Sequence, residues 1–238
     1  EALEEADAVK AKFLANMSYE FRTPLTTIGG YAELLKSGAV ADPEAAGEYV
    51  DAILSAVERL TEQVENVLDL SQSEAGLLPI RKERLDLLEF LTTLVREREG
   101  AIVAAGLSLD LKGRRGRVID GDPRQLSRAF GNLIDNAVAG TPDGGRIVIE
   151  IRKAPEGADY GIEISITDNG RGMSQDELAR AFEPFFTSRR SQGAKGLGLT
   201  LVFNLVTHLL QGELTLQNAT PGCVVSLQCP LTLNTTSG

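Results

Sequence analysis

Five apolar residues in the first third of the chain, Ile53, Val57, Leu60, Val64 and Val67, follow one another at steps of four, three, four and three. That spacing lays them along a helical stripe and demands a second helix to cover it. The preceding stretch, residues 1–36, reads as another long helix. Its one proline, Pro24, lacks an N–H and crowds the turn before it, so a kink or a loosened turn is expected there. The segment KSGAVADPEAAG, Lys36 to Gly47, breaks the pattern with Gly38, Pro43 and Gly47. It reads as the connection, with Asp42 as N-cap and Pro43 at the first helical position. Two helices cannot bury both apolar stripes against each other alone. A dimer forming a four-helix bundle satisfies them; a single hairpin packed on the rest of the chain is the alternative.

The 238 residues suffice for one or two domains. With 42% hydrophobic residues but no Trp, the core must be filled by Leu, Val, Ile and Ala. The formal net charge of −10 argues against nucleic acid as a partner, because phosphate contacts need clustered Lys and Arg. The pairs Arg114-Arg115 and Arg189-Arg190 read as solvated loops. Cys223 and Cys229, if on one strand, stand about 20 Å apart at roughly 3.3 Å per residue, too far for a disulfide. The expectation is a reducing, cytoplasmic setting. No apolar run reaches the ~18 residues of a membrane span, and no signal peptide is visible. The chain opens as if in mid-helix and without Met, as a piece of a longer protein would; an anchor further upstream stays open.

The segment SEAGLLP, Ser73 to Pro79, reads as a linker and divides the chain into residues 1–76 and 77–238. Beyond it the periodicity alternates. Leu85 to Glu97 is predicted helical, and Leu107 to Lys112 and Arg117 to Ile119 are short strand candidates. Asp122 to Ala139 is predicted as a helix capped by Asp122, with Pro123 first. Ile147 to Ile151 and Ile162 to Thr167 alternate and are β-branched, so they read as strands. Gly196 to Leu210 is predicted helical, and Leu214 to Gln217 and Val224 to Cys229 close the chain as strands. Helices around a largely antiparallel set of strands imply an α+β sandwich.

Three segments carry candidate chemistry. NLIDNA places Asn132 and Asn136 four apart on one helix face, with Asp135 off it. Paired amides offer neutral oxygens suited to Mg²⁺ held together with phosphates, though two Asn at this spacing are more often ordinary caps or surface residues. TDNGRGM puts Asp168 at a strand end, followed by Gly170 and Gly172, which let backbone approach a flat ligand closely; a plain Asp-Asn-Gly turn reads the same. FEPFFTSRRSQGAKGLGLTLV runs from an aromatic anchor through a polar stretch to Gly196 and Gly198 at a helix start. There N–H groups suit phosphate, with Lys195 adding a cation. Thr187 to Lys195 looks like a lid.

Together, and with the segment MSYEFRTPLTTIGGYAELL, these stretches resemble the catalytic core of the two-component sensor histidine kinases, over nearly the whole chain. That segment resembles the family's phospho-acceptor box, NLIDNA its N box, DNGRGM its G1 box, FEPFF its F box and GLGL its G2 box. The resemblance implies a multidomain chain. Residues 1–76 would form a dimerisation and phosphotransfer hairpin, a dimeric four-helix bundle, and residues 77–238 a Bergerat-type ATP-binding sandwich. It implies ATP and Mg²⁺ as ligands, with Asp168 as adenine contact and Asn136, joined by Asn132, at the Mg²⁺–phosphate site. Gly170, Gly172, Lys195, Gly196, Leu197 and Gly198 would complete the nucleotide site. The implied partners are a second copy, a receiver-type response regulator docking on the bundle, and, as a further candidate, another sensor kinase.

The chain departs from that pattern twice. Tyr19 stands where the family has its phospho-accepting histidine, as in an atypical tyrosine-bearing branch linked to bacterial cell division. Ala139 and Gly140 stand where a basic and an aromatic residue are expected after the N box. Losing one charged phosphate contact costs about 1.5–3 kcal/mol, roughly ten- to a hundredfold in affinity, which Lys195 would partly offset. A phenol, with a pKa of about 10, must lose its proton as it attacks, whereas an imidazole near 6.5 already has a free lone pair. Glu20 is the candidate base. The resulting ester would hold its phosphoryl group too firmly to pass it to an aspartate, and the longer phenol would upset in-line geometry. Glu20, Thr23 and the run Phe13 to Asn16 are kept, so the docking surface reads as intact. His208, the only histidine, reads as an ordinary helix-surface residue. The leading reading is a regulatory pseudokinase in cell-cycle signalling that binds a response regulator. The alternatives are an ATP-dependent kinase phosphorylating Tyr19, and a phosphatase of the regulator using Thr23 and Glu20.

Overall fold

The computed structural model describes residues 2–38, 42–74, 81–154, 161–188 and 196–230. The chain divides into two compact units, Glu1–Gly76 and Leu77–Gly238.

The first unit is a pair of long helices, α1 (Ala2–Lys36) and α2 (Pro43–Glu74). Asp42 takes the capping role expected of it: its carboxylate accepts from the N–H of Glu44 at 3.2 Å. The helices fold back on each other, with the rings of Tyr31 and Tyr49 4.9 Å apart. Seven residues further from the turn on each helix, Pro24 and Ala56 are both buried; after seven more come Met17, half-buried, and Gln63, buried. Seven residues is about two turns, so each pair shares a level along the two helices.

This inner seam takes Ile53, Leu60 and Val67, all half-buried, but leaves Val57 and Val64 exposed beside Val50, Leu54 and Leu68. The single stripe expected from the 4-3-4-3 spacing therefore splits in two. Val57 and Val64 each follow a seam residue, Ala56 and Gln63, by one position, and one residue turns the helix by about 100°. α1 runs unbroken through Pro24. Past it, the hydroxyls of Thr26 and Thr27 donate to the carbonyls of Arg22 and Thr23 at 2.8 and 3.1 Å, one turn back along the helix.

The second unit runs β1 (Glu83–Asp86), α3 (Leu87–Ala104), β2 (Ser108–Lys112), β3 (Val118–Gly121), α4 (Pro123–Gly140), β4 (Arg146–Lys153), β5 (Ile162–Asp168), α5 (Gln175–Arg180), α6 (Gly198–Asn204), β6 (Glu213–Asn218) and β7 (Cys223–Cys229). Five strands form one sheet in the order β2-β4-β5-β7-β6, antiparallel except for the β2–β4 pair. β1 pairs with β3 separately. Alternation along β4 and β5 points Ile147, Ile149, Ile151, Ile162, Ile164 and Ile166 inward. They join one core with Leu87 and Leu91 of α3, Leu126, Phe130 and Ile134 of α4, and Val202 of α6. Each such side chain stabilises the fold by about 1.5–3 kcal/mol relative to exposure.

Two predicted elements shift. The helix expected from Leu85 starts at Leu87, because Leu85 and Asp86 pair with β3, and Asp86 caps α3 by accepting from the N–H groups of Leu88 and Glu89. The helix expected from Gly196 starts at Gly198 and passes after Asn204 into a π-helical turn, Leu205–Leu209, in which the N–H of Leu210 donates five residues back to Leu205. The expected linker begins late: Ser73 and Glu74 still belong to α2, and residues 75–80 lie outside the described residues.

Candidate functional site

α4 is set by Asp122. One carboxylate oxygen caps the helix, accepting from Arg124 and Gln125; the other accepts from the N–H of Arg81 at 2.8 Å. The helix then presents Asn132 and Asn136, both half-buried, on one face. Asp135 faces α3 instead, where the Arg98 guanidinium donates to it at 3.2 Å. Ala139 is exposed and Gly140 half-buried at the end of the helix.

β5 ends at Asp168. Its Oδ1 accepts from the N–H of Gly170 at 2.9 Å and of Cys223 at 3.3 Å. The first bond is the local turn expected of Asp-Asn-Gly; the second comes from the start of β7 and fixes the carboxylate through the fold. A Cβ on Gly170 would lie 2.2 Å from the carbonyl oxygen of Gly140, so the loop and the end of α4 meet backbone to backbone. Asn169 accepts from the N–H of Arg146 at 2.7 Å. Gly172, at φ +72°, passes so near the β6–β7 turn that a Cβ would lie 3.1 Å from Asn218 Oδ1.

Gly198 brings a third segment to the same place: a Cβ there would stand 3.1 Å from Asn132 Oδ1. Leu197 before it is buried. Gly196 precedes α6 rather than belonging to it; its φ is +73°, and its carbonyl accepts from the N–H of Phe185 at 2.8 Å. Phe185 is buried at φ 63°, a left-handed backbone that is rare for a bulky side chain and is typical of constrained sites. The fold thus gathers Asn132, Asn136, Asp168, Gly170, Gly172, Gly196, Leu197 and Gly198 in one unit. Lys195 lies outside the described residues, as do residues 189–194 of the expected lid.

Below this loop, Arg171 donates through both terminal nitrogens to Glu177, at 2.7 and 3.3 Å, and to the Ser188 hydroxyl at 2.8 Å. Glu177 also completes the capping box of α5 with Ser174. The Arg171 guanidinium, then the Ser174 N–H and the Ser188 hydroxyl, hold the Glu177 carboxyl far below the usual carboxylate range. Asn218 of β6 holds the loop from the other side: its amide oxygen accepts from Met173 N–H at 2.8 Å and its NH₂ donates to Met173 O at 2.7 Å. The sequence had pointed to neither Asn218 nor Cys223, since they lie 45 and 55 residues beyond their partners with no local signature.

On the first unit, Tyr19 is 72% exposed on α1, with Thr23 exposed and Glu20 half-buried beside it. The Arg22 guanidinium lies 5.7 Å from the centre of the Tyr19 ring. His208 is exposed, as expected. Cys223 and Cys229 are buried and not joined in a disulfide, and burial pushes the Cys229 thiol up to about 12. No helix among the described residues is long and apolar enough to cross a membrane.

A two-helix hairpin, followed by an α/β sandwich that gathers amides, a strand-end aspartate and glycines, is the two-part architecture of a histidine kinase core. Residues 9–76 match the His Kinase A (phospho-acceptor) domain, and residues 121–233 match the histidine kinase-, DNA gyrase B-, and HSP90-like ATPase. The chain belongs to the sensor histidine kinase family and corresponds to its two-domain core. It is 35% identical over 229 residues to the Non-motile and phage-resistance protein of Caulobacter vibrioides, covering 92% of this chain and 26% of that protein. It is 32% identical over 232 residues to the Sensor protein DivL of the same organism, covering 97% of this chain and 29% of that protein. The chain therefore spans less than a third of the length of these relatives. Histidine kinase ThkA, solved in complex with the response regulator protein TrrA, shares the fold with a TM-score of 0.72 at 21% identity, over 96% of this chain and 64% of that one.

Proposed function

We propose that this chain is the core of a tyrosine-bearing sensor kinase that receives a response regulator on its helical hairpin and does not relay phosphate through it. The observation that carries the reading is Tyr19 itself, 72% exposed on α1 beside Glu20 and Thr23, in a box otherwise kept. An exposed phenol there offers a docking surface a hydroxyl and a ring. It yields no labile phosphoramidate to hand on. Ala139 and Gly140 support the same reading, since neither supplies a charge or a ring at the end of α4. Likeness to DivL supports a setting in bacterial cell-cycle or cell-division signalling. Docking of a regulator on the hairpin is supported by the shared fold with ThkA, whose structure holds one. The exposed stripe of Val50, Leu54, Val57, Val64 and Leu68 is the surface proposed to pair two copies into a four-helix bundle.

The sandwich is proposed to bind ATP weakly. Asp168, held by two N–H groups through Oδ1, offers its other oxygen to an adenine amino group. Asn132 and Asn136 are neutral oxygen donors of the kind that hold Mg²⁺ jointly with phosphates. Among the described residues no group of three His, Cys, Asp or Glu forms a cage, which fits an ion brought in with the nucleotide. Bound there, the ion would neutralise phosphate charge.

The built state of the Asp168 loop favours a second reading, an autokinase that phosphorylates Tyr19 with Glu20 taking the phenolic proton. A regulator phosphatase using Thr23 and Glu20 is a third. Incubating the chain and its Tyr19→His and Tyr19→Phe variants with labelled ATP and Mg²⁺ decides among them. The expected result is no label on the native chain while a receiver domain still binds it. Label that disappears in Tyr19→Phe would establish the autokinase, and faster loss of phosphate from a labelled receiver would establish the phosphatase.

A further inference from the structure

We infer that Asn218 is a positioning residue for the nucleotide site, through its grip on Met173; the inference rests on the nucleotide reading above. Asn218 ends β6, and its primary amide satisfies both backbone groups of Met173, accepting at 2.8 Å and donating at 2.7 Å. That is the pair of bonds a neighbouring antiparallel strand would supply. One side chain thus stands in for a strand that the loop cannot form.

The same turn holds the other end of the loop. Cys223 N–H donates to Asp168 Oδ1 at 3.3 Å, and a Cβ on Gly222 would lie 1.9 Å from the Asp168 carbonyl oxygen. The turn itself is closed by the bond from Ala219 N–H to Gly222 O at 2.8 Å. Residues 168–173 are therefore an arch suspended at both feet from residues 218–223. Asp168 is fixed at one foot by backbone groups, which substitution does not remove. The other foot hangs on one side chain. Without it, Gly170 and Gly172 regain the freedom that glycine has in an unpaired loop. The Asp168 carboxylate keeps its bond from Cys223 N–H but loses Gly170 N–H as a steady second partner, so its direction is less tightly fixed. A ligand must pay to restore the arch, so its affinity falls.

Asn218→Ala removes both bonds. Asn218→Asp keeps the acceptor but sets an oxygen against the Met173 carbonyl, so it is expected to be no better. The test titrates a fluorescent ATP analogue with Mg²⁺ into the native chain and both variants, beside melting temperature and amide hydrogen exchange. The inference expects about tenfold weaker nucleotide binding in both variants, faster exchange confined to residues 169–173, and little change in melting. Native affinity in Asn218→Ala, with a lowered melting temperature, would overturn it, because Asn218 would then be structural only. If the native chain binds no nucleotide, the nucleotide reading falls. The exchange comparison still judges the arch, since unchanged exchange at residues 170–173 in Asn218→Ala would overturn that too.

Discussion

Gly170 and Gly140 approach so closely that a Cβ on Gly170 would lie 2.2 Å from the Gly140 carbonyl oxygen. Neither backbone can retreat, since Gly170 N–H is bonded to Asp168 and Gly140 ends a helix packed in the core. Gly170→Ala should therefore cost about 3 kcal/mol, the upper end of overpacking, and abolish nucleotide binding. Gly100 is the contrast: it lies inside α3 with nothing within 4 Å of the Cβ position. Gly100→Ala should stabilise the sandwich by about 0.5–1 kcal/mol. Thermal melting of the two variants, with opposite signs expected, checks both.

Gln63 sits in the hairpin seam at 6% exposure, with its Oε1 buried and unbonded. A buried acceptor without a donor costs about 1–3 kcal/mol, and an apolar side chain of similar size avoids it. Gln63→Leu should raise the melting temperature of the hairpin. A fall would mean that the amide finds a partner in the assembled protein, which a comparison at high and low protein concentration would reveal.

The Arg171–Glu177 pair sets a pH dependence. A carboxyl held below its unfolded-chain value stabilises the fold fully above about pH 4.3. That contribution fades as pH falls through the lower folded value. Glu177→Gln should cost about 1–2 kcal/mol at pH 7, discounted because Arg171 is half exposed. The gap between native and variant melting temperatures should narrow from pH 5 to pH 3. A gap independent of pH would show that packing, not charge, holds α5.

Both thiols are buried, and that of Cys229 is pushed up to about 12. A thiol-specific reagent at pH 8 should leave the native chain unlabelled and modify both cysteines once denaturant unfolds it. Rapid labelling of Cys229 under native conditions would show that β7 opens at the edge of the core.

Much of this was legible in the residues. Asp122 followed by Pro123 announces the start of α4, and the alternating isoleucines announce β4 and β5, because capping and side-chain period are local properties of backbone. Asp168 at a strand end and the shared face of Asn132 and Asn136 follow from the same kind of spacing. β1 and the cap at Asp86 were missed. A four-residue strand carries little periodicity, and the Leu-rich run after it made Leu85 look like part of the helix.

What the sequence determined by itself was most of the longer helices and strands, and candidate residues for the chemistry. Tertiary structure decided which of them face one another. The spacing of Ile53, Val57, Leu60, Val64 and Val67 did not tell inner seam from outer stripe; packing against α1 separated them, because one position turns a helix by about 100°. The strand order β2-β4-β5-β7-β6 and the hold of Asn218 and Cys223 on the Asp168 loop join residues dozens of positions apart. Such contacts form only when closing the chain between them is repaid by burial of the core. No local pattern records that balance.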